Sequence, residues 1–173
     1  MIIEFGAEAP DQIARRLLAE NSYLTLATAG ADGAPWASPV WFAARQLEEF
    51  VWASKPGARH SRNIAENARV SLVVFDSSRA PGDGSALYVS ADAELVGDST
   101  FEDALAVSNA RSLECGLSLW DSSNLRAPAR HRLYRAVARE SFVLDDHDER
   151  IRVHLQKERG SASGTEVDSR ELT

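Results

Sequence analysis

LTLATAGADGAPWASPVWFAARQLEEFVWASKPGARHSRNIAENARVSLVVF, residues 24–75, holds the alternation of extended runs, turns and one short helix on which the fold is read. Tyr23 to Ala29 is Thr-rich and extended, Gly30-Ala31-Asp32-Gly33 supplies turn chemistry, and Pro35 to Ala44 reads as a second strand. An Asp-Gly turn between two extended runs signals a hairpin. Leu47 to Ser54 continues the meander. Lys55-Pro56-Gly57 ends it, because proline cannot donate to a ladder and glycine tolerates unusual backbone angles. A compact helix follows from Arg59 to Asn67. In the next strand Val70, Leu72 and Val74 alternate with Ser71, Val73 and Phe75, apolar on nearly both faces, so it is expected inside the fold or at a subunit interface.

Working outward, Ile13, Ala14, Leu17 and Leu18 share one face of a helix that starts near Asp11 and stops at Asn21. After a loop at residues 76–84, Leu87, Val89, Ala91, Ala93 and Leu95 alternate with polar residues, a period of two. Thr100-Phe101-Glu102-Asp103 resembles a helix start, and the helix is expected to run to about Leu113. Leu133 to Arg139 and Ser141 to Leu144 read as two final strands. Residues 156–173 are polar and Gly/Ser-containing, which predicts a flexible tail after a domain spanning 1–155. Six or seven strands with two or three short helices give an α+β, mainly β chain built on an antiparallel barrel.

The 173 residues fit one domain, and 44% apolar residues suffice for a core. The net charge is −7, with seventeen Arg and two Lys among the basic residues. That balance argues against a general nucleic-acid or anionic-membrane binder, since phosphate affinity comes from accumulated positive charge. Apolar runs are short, Leu72 to Phe75 for example, so no bilayer span is expected; no basic, then apolar, leader opens the chain. The single Cys115 forms no internal disulfide, fits a cytoplasmic location and is expected to be a buried structural thiol.

Chemistry concentrates at Trp52-Ala53-Ser54-Lys55-Pro56-Gly57-Ala58-Arg59-His60-Ser61-Arg62-Asn63. A strand end, a turn and a helix start bring free backbone N–H groups beside Arg59 and His60, a pattern that binds phosphate. The plainer alternative is a solvated helix face with His60 as a cap.

Taken together, the Asp-Gly-x-Pro hairpin, the strand ending in Ser54, the Arg59-His60 pair, the helix ending in Glu66-Asn67 and the Arg69-Val-Ser-Leu72 strand resemble the flavin-binding split-barrel family related to pyridoxamine 5′-phosphate oxidase. The resemblance implies a homodimeric split β-barrel with FMN at the subunit interface. It places Ser54, Arg59 and His60 around the FMN phosphate, with Lys55 and Asn63 as helpers. It lays Ser38, Pro39, Val40 and Trp41 along the isoalloxazine ring. The implied activity is flavin-mediated hydride or electron transfer to a small molecule, with no obligatory side-chain acid or base and no metal. Two departures disfavour a true pyridoxamine phosphate oxidase. Ser38 and Ala43 stand where those oxidases have Arg and Lys, and His60 replaces the Lys of the basic pair; their C-terminal Tyr, Arg and Ser signature has no counterpart between Phe101 and Leu155. Alternatives on the same fold are the deazaflavin F420 in place of FMN, or a non-catalytic flavin- or haem-binding protein with His60, His131 or His154 as axial ligand.

Outside this stretch, Asn124 to Arg139 holds five Arg and no acid, and is read as a strand face neutralised by the acidic run 145–149 or as the lining of an anion pocket; Arg132 and Arg135 are the arginines to examine near the flavin. The run 145–149 itself fits no metal-ligand spacing and reads as a solvated hairpin tip. Of the tryptophans at 36, 41, 52 and 120, Trp41 alone has a positional reason to meet a ring, and the others are expected as core or interface anchors.

Overall fold

A computed structural model describes residues 8–80, 84–144 and 149–153. The chain runs α1 (Pro10–Glu20), β1 (Tyr23–Ala29), β2 (Pro35–Trp41), β3 (Ala43–Arg45), β4 (Glu49–Ser54), α2 (Arg59–Glu66), β5 (Arg69–Phe75), β6 (Ala86–Leu95), α3 (Phe101–Glu114), β7 (Arg132–Leu144) and β8 (Arg150–Arg152). The protein is α+β and mostly strand, as its alternation predicts. The tail expected at 156–173 and His154 lie outside the described residues, as do 145–148 of the acidic run.

All strands pair antiparallel in one sheet of order β2-β1-β5-β6-β7-β4-β3, with β8 on β7. The two ends of that order, β2 and β3, are consecutive in the chain and separated only by Phe42. A sheet whose first and last strands share a corner has to curl, and the result is a half-barrel. The single strand expected over 35–44 is therefore two: β2 pairs with β1, and the chain turns at Phe42 to pair β3 with β4. At the other end of the molecule the expectation errs in the opposite direction. Residues 132–144 form one strand, because the β6–β7 register passes from Ser90 opposite Glu140 to Ala91 opposite Ala138, leaving Arg139 as a bulge. A bulge absorbs one residue and bends the strand without ending it.

The β1–β2 hairpin closes as its turn residues require. Gly33 sits at φ +77°, its N–H donates to the Gly30 carbonyl at 2.9 Å, and Ala34 N–H donates to Asp32 Oδ1 at 3.0 Å. Inside the curl, Leu24, Leu26, Phe50, Trp52, Leu72, Leu87 and Val89 pack with Ile13 and Leu17 of α1. A second cluster, Val51 and Leu133 with Val96, Phe101, Ala104 and Leu125, forms where α3 covers the outer face of β4 and β7. The strand buried on both faces is thus β4. On β5, Ser71 and Phe75 are exposed and Val73 is only half-buried, Phe75 at 48%, because no described helix covers that face. Cys115 is likewise exposed, just past the end of α3, so the expectation of a buried thiol is corrected. Among the described residues no helix is long and apolar enough to cross a membrane.

Candidate functional site

The site forms where β4 ends, α2 begins and β2 runs beneath them. α2 starts after Ala58, which has extended geometry and no side chain able to cap the first turn. Its opening N–H groups therefore face outward with the positive end of the helix dipole. The turn before it is held by Ala58 N–H to the Lys55 carbonyl (3.0 Å) and by the Arg62 guanidinium on the Gly57 carbonyl.

His60 reaches back from this first turn between two serines. Its Nε2 lies 2.8 Å from Ser54 Oγ and its Nδ1 lies 3.1 Å from Ser38 Oγ. Burial pushes the imidazole below its usual pKa range, so the ring is neutral at pH 7. A neutral imidazole donates from one nitrogen and accepts at the other, so one serine hydroxyl gives its proton to the ring and the other accepts from it. The accepting serine keeps its own O–H free to donate. Ser61, one residue on, is buried with its hydroxyl unpartnered.

Arg59 turns the other way and stacks over Trp36, 4.5 Å from the ring centroid. Among the described residues neither Arg59 nor Lys55 has a carboxylate partner, and both are exposed. Behind this surface Asn63 Nδ2 donates to Thr28 Oγ1 (3.0 Å), and Thr28 Oγ1 donates to the Trp36 carbonyl (3.3 Å). Glu66 accepts from Ala31 N–H at 3.2 Å. These bonds strap α2 to the β1–β2 hairpin along its length.

Of the residues singled out in the sequence, Ser38, Ser54 and His60 meet directly, with Arg59 beside them. Asn63 holds the helix down. On β2, period-two alternation puts Val40 on the same side as Ser38 but deeper, in the core, while exposed Pro39 and half-buried Trp41 point to the other side. The tryptophan that shares the site is Trp36, 41% exposed, which sequence reasoning set aside as an anchor. Two steps back from Ser38 along a strand is the signal that places it there.

The family model for pyridoxamine 5′-phosphate oxidase matches residues 10–144. The chain belongs to this family. Among solved structures of the same fold, the heme storage protein HutZ from Vibrio cholerae is 25% identical, with 75% of this chain and 91% of that chain covered and a TM-score of 0.58. A heme binding protein from Mycobacterium smegmatis is 18% identical over 84% of this chain and 58% of that one, with a TM-score of 0.64. An F420 reductase is 24% identical, covering 73% and 94%, with a TM-score of 0.53. No curated protein sequence matches the chain.

Proposed function

We propose that this member of the pyridoxamine 5′-phosphate oxidase family binds FMN and acts, as a homodimer, as an oxidoreductase on a small molecule other than pyridoxamine phosphate. The observation that carries the reading is the uncapped first turn of α2 with Arg59 and a serine hydroxyl of the Ser38–His60–Ser54 relay beside it. Those donors suit a phosphate monoester: backbone N–H groups and a serine hydroxyl for its oxygens, and a guanidinium with no competing carboxylate among the described residues for its charge. When bound, the flavin supplies hydride or electron transfer. The protein's part is to grip the phosphate through Ser54, Arg59 and the α2 N–H groups, to hold Arg59 against Trp36, and to exclude water. A partner subunit laid on the exposed face of β5 would cover Phe75.

A haem reading is favoured by the likeness to HutZ. It needs a free imidazole, and both ring nitrogens of His60 are engaged, which leaves half-buried His131, 6.1 Å from the Trp120 ring, as the described axial candidate. One measurement separates the readings: the absorption spectrum of freshly purified protein, with the mass of its denatured extract. A flavin spectrum with the mass of FMN is expected. A deazaflavin tail replaces FMN by F420, a Soret band replaces it by haem, and protein that takes up none of the three on titration overturns the enzyme reading.

A further inference from the structure

The five arginines of the acid-free stretch are separated by what they touch. Arg126 pairs with Asp98 and Glu102 and lies 3.7 Å over the Phe101 ring. Arg135 pairs with Glu94 at 2.6 Å and Glu49 at 3.6 Å, and Arg139 pairs with Asp92. These carboxylates come from β4, β6, the loop after β6 and the first turn of α3. Arg130 is exposed. Arg132 is the half-buried arginine of the stretch that meets no carboxylate among the described residues; its Nη1 donates instead to the carbonyls of Ala129 and His131, 2.6 Å each, in its own preceding loop.

The strand register gives Arg132 its place. It lies directly opposite Ser54 in the β4–β7 pair. Residues opposite each other in an antiparallel ladder share a face, with Cβ atoms roughly 5 Å apart. The next pair on that face, Trp52 and Tyr134, shows the sharing: their rings stack at 6.1 Å with planes 16° apart. The backbone of Arg132 therefore stands beside the serine that holds His60, on a different element from Arg59, while its guanidinium is turned into its own loop, along a groove it lines with Asp98, Phe101 and Leu125.

Charge balance calls for such a group. A phosphate monoester carries about −1.5 to −2 at neutral pH. Against it the start of α2 offers Arg59; Arg62 is tied back to the Gly57 carbonyl, His60 is neutral and Lys55 is exposed on the turn, so a cation on a neighbouring element adds to the balance. We propose that Arg132 is a second cation for the cofactor phosphate, exchanging its bonds to the Ala129 and His131 carbonyls for bonds to phosphate oxygens. This rests on the FMN reading above. Ala129 and His131 are half-buried rather than buried, so their carbonyls stay within reach of water when released, and bonds to an anion replace bonds to neutral carbonyls.

The test is titration of FMN and of riboflavin, which lacks the phosphate, into apo wild type, Arg132→Met and Arg132→Lys. FMN affinity is expected to fall about tenfold or more in Arg132→Met, the size of one lost charge-assisted contact. Riboflavin affinity is expected to stay within about twofold of wild type, and Arg132→Lys to lie between, since an ammonium keeps the charge but not the planar fork. Unchanged FMN affinity, or equal losses for FMN and riboflavin, overturns the role of Arg132 while a wild-type preference for FMN leaves the phosphate site standing. Wild type that binds both equally, or neither, overturns the phosphate site and Arg132 with it. Should Arg132→Met fail to fold, several-fold weaker FMN binding by Arg132→Lys at constant riboflavin affinity supports the role, and no change removes it.

Discussion

His60 Nε2 stands 2.8 Å from the hydroxyl of Ser54, a residue that is itself buried at the end of β4. The contact joins the helix start to the sheet through a titratable ring whose protonated form is disfavoured by burial. A folded-state pKa below the unfolded value of about 6.5 means that, between the two, the unfolded chain binds the proton and the folded chain does not. Stability from this group is then complete above the unfolded pKa and falls as pH drops from about 6.5 toward the folded pKa. Thermal melts between pH 7.5 and 5 should show a downward trend in Tm that is shallower in His60→Gln. Parallel trends in the two proteins would remove His60 as the cause.

Arg59 over Trp36 makes a second pair with a separable role. A guanidinium laid on an indole face is attracted by the ring quadrupole and loses rotamer freedom before any anion arrives. Arg59→Ala should weaken FMN at least tenfold without changing riboflavin affinity, since it deletes a charge-assisted contact. Trp36→Ala should weaken FMN less, about two- to fivefold, by freeing Arg59, and the double variant should be no worse than Arg59→Ala alone. Additive losses in the double variant would show that Trp36 touches the cofactor itself.

The residues that meet at this site show which relationships a sequence exposes. The hairpin at Asp32-Gly33, the end of β4 at Ser54 and the start of α2 at Arg59 are local events, set by turn residues and periodicity within a few positions, and each appears where those signals put it. Facing is harder. Once Ser38 is assigned to the phosphate side, alternation brings Trp36 with it and takes Trp41 away, so that information was present in the spacing. Non-local pairing was not. The partners of Arg135 and Arg139 on β4 and β6, and the bulge at Arg139 that fuses two expected strands, depend on register across the sheet, which no local pattern encodes. The proximity of Arg132 to Ser54 is of the same kind.

Register of a different sort fixes α1. Its last turn carries no basic residue, and Arg111 of α3 supplies the cation from more than ninety positions away, its Nη2 donating to the carbonyls of Ala19 (3.0 Å), Asn21 (3.2 Å) and Leu18 (3.4 Å). Carbonyls at a helix end lack partners within the helix, and a guanidinium there also meets the negative end of the dipole. Arg111→Met keeps the aliphatic stem and removes the donors. It should cost about 2 kcal/mol in urea unfolding, the scale of a partly buried charged hydrogen-bond group. Because α1 packs Ile13 and Leu17 into the curl, loss of Arg111 should also raise hydrogen exchange in α1 above that in α2. A cost below about 0.5 kcal/mol would place the arginine among ordinary surface ion pairs.

Two turns offer opposite substitutions. Gly33 has φ +77° with open space where a Cβ would go, so Gly33→Ala meets no clash and its whole effect is backbone strain. A left-handed L-residue costs about 1–2 kcal/mol, less the entropy saved in the unfolded chain, which predicts a net loss of about 1 kcal/mol. Gln46, between β3 and β4, already sits at φ +55°. Gln46→Gly relieves that strain but gives the unfolded chain more freedom, so a gain of about 0.5 kcal/mol is expected. Chemical denaturation of both variants checks the pair. A stabilised Gly33→Ala, or a destabilised Gln46→Gly, would mean that side-chain contacts rather than backbone angle set these turns. For Gln46 that contact would lie in the cavity of about 210 Å³ that it lines with Arg15, Phe42 and Arg111.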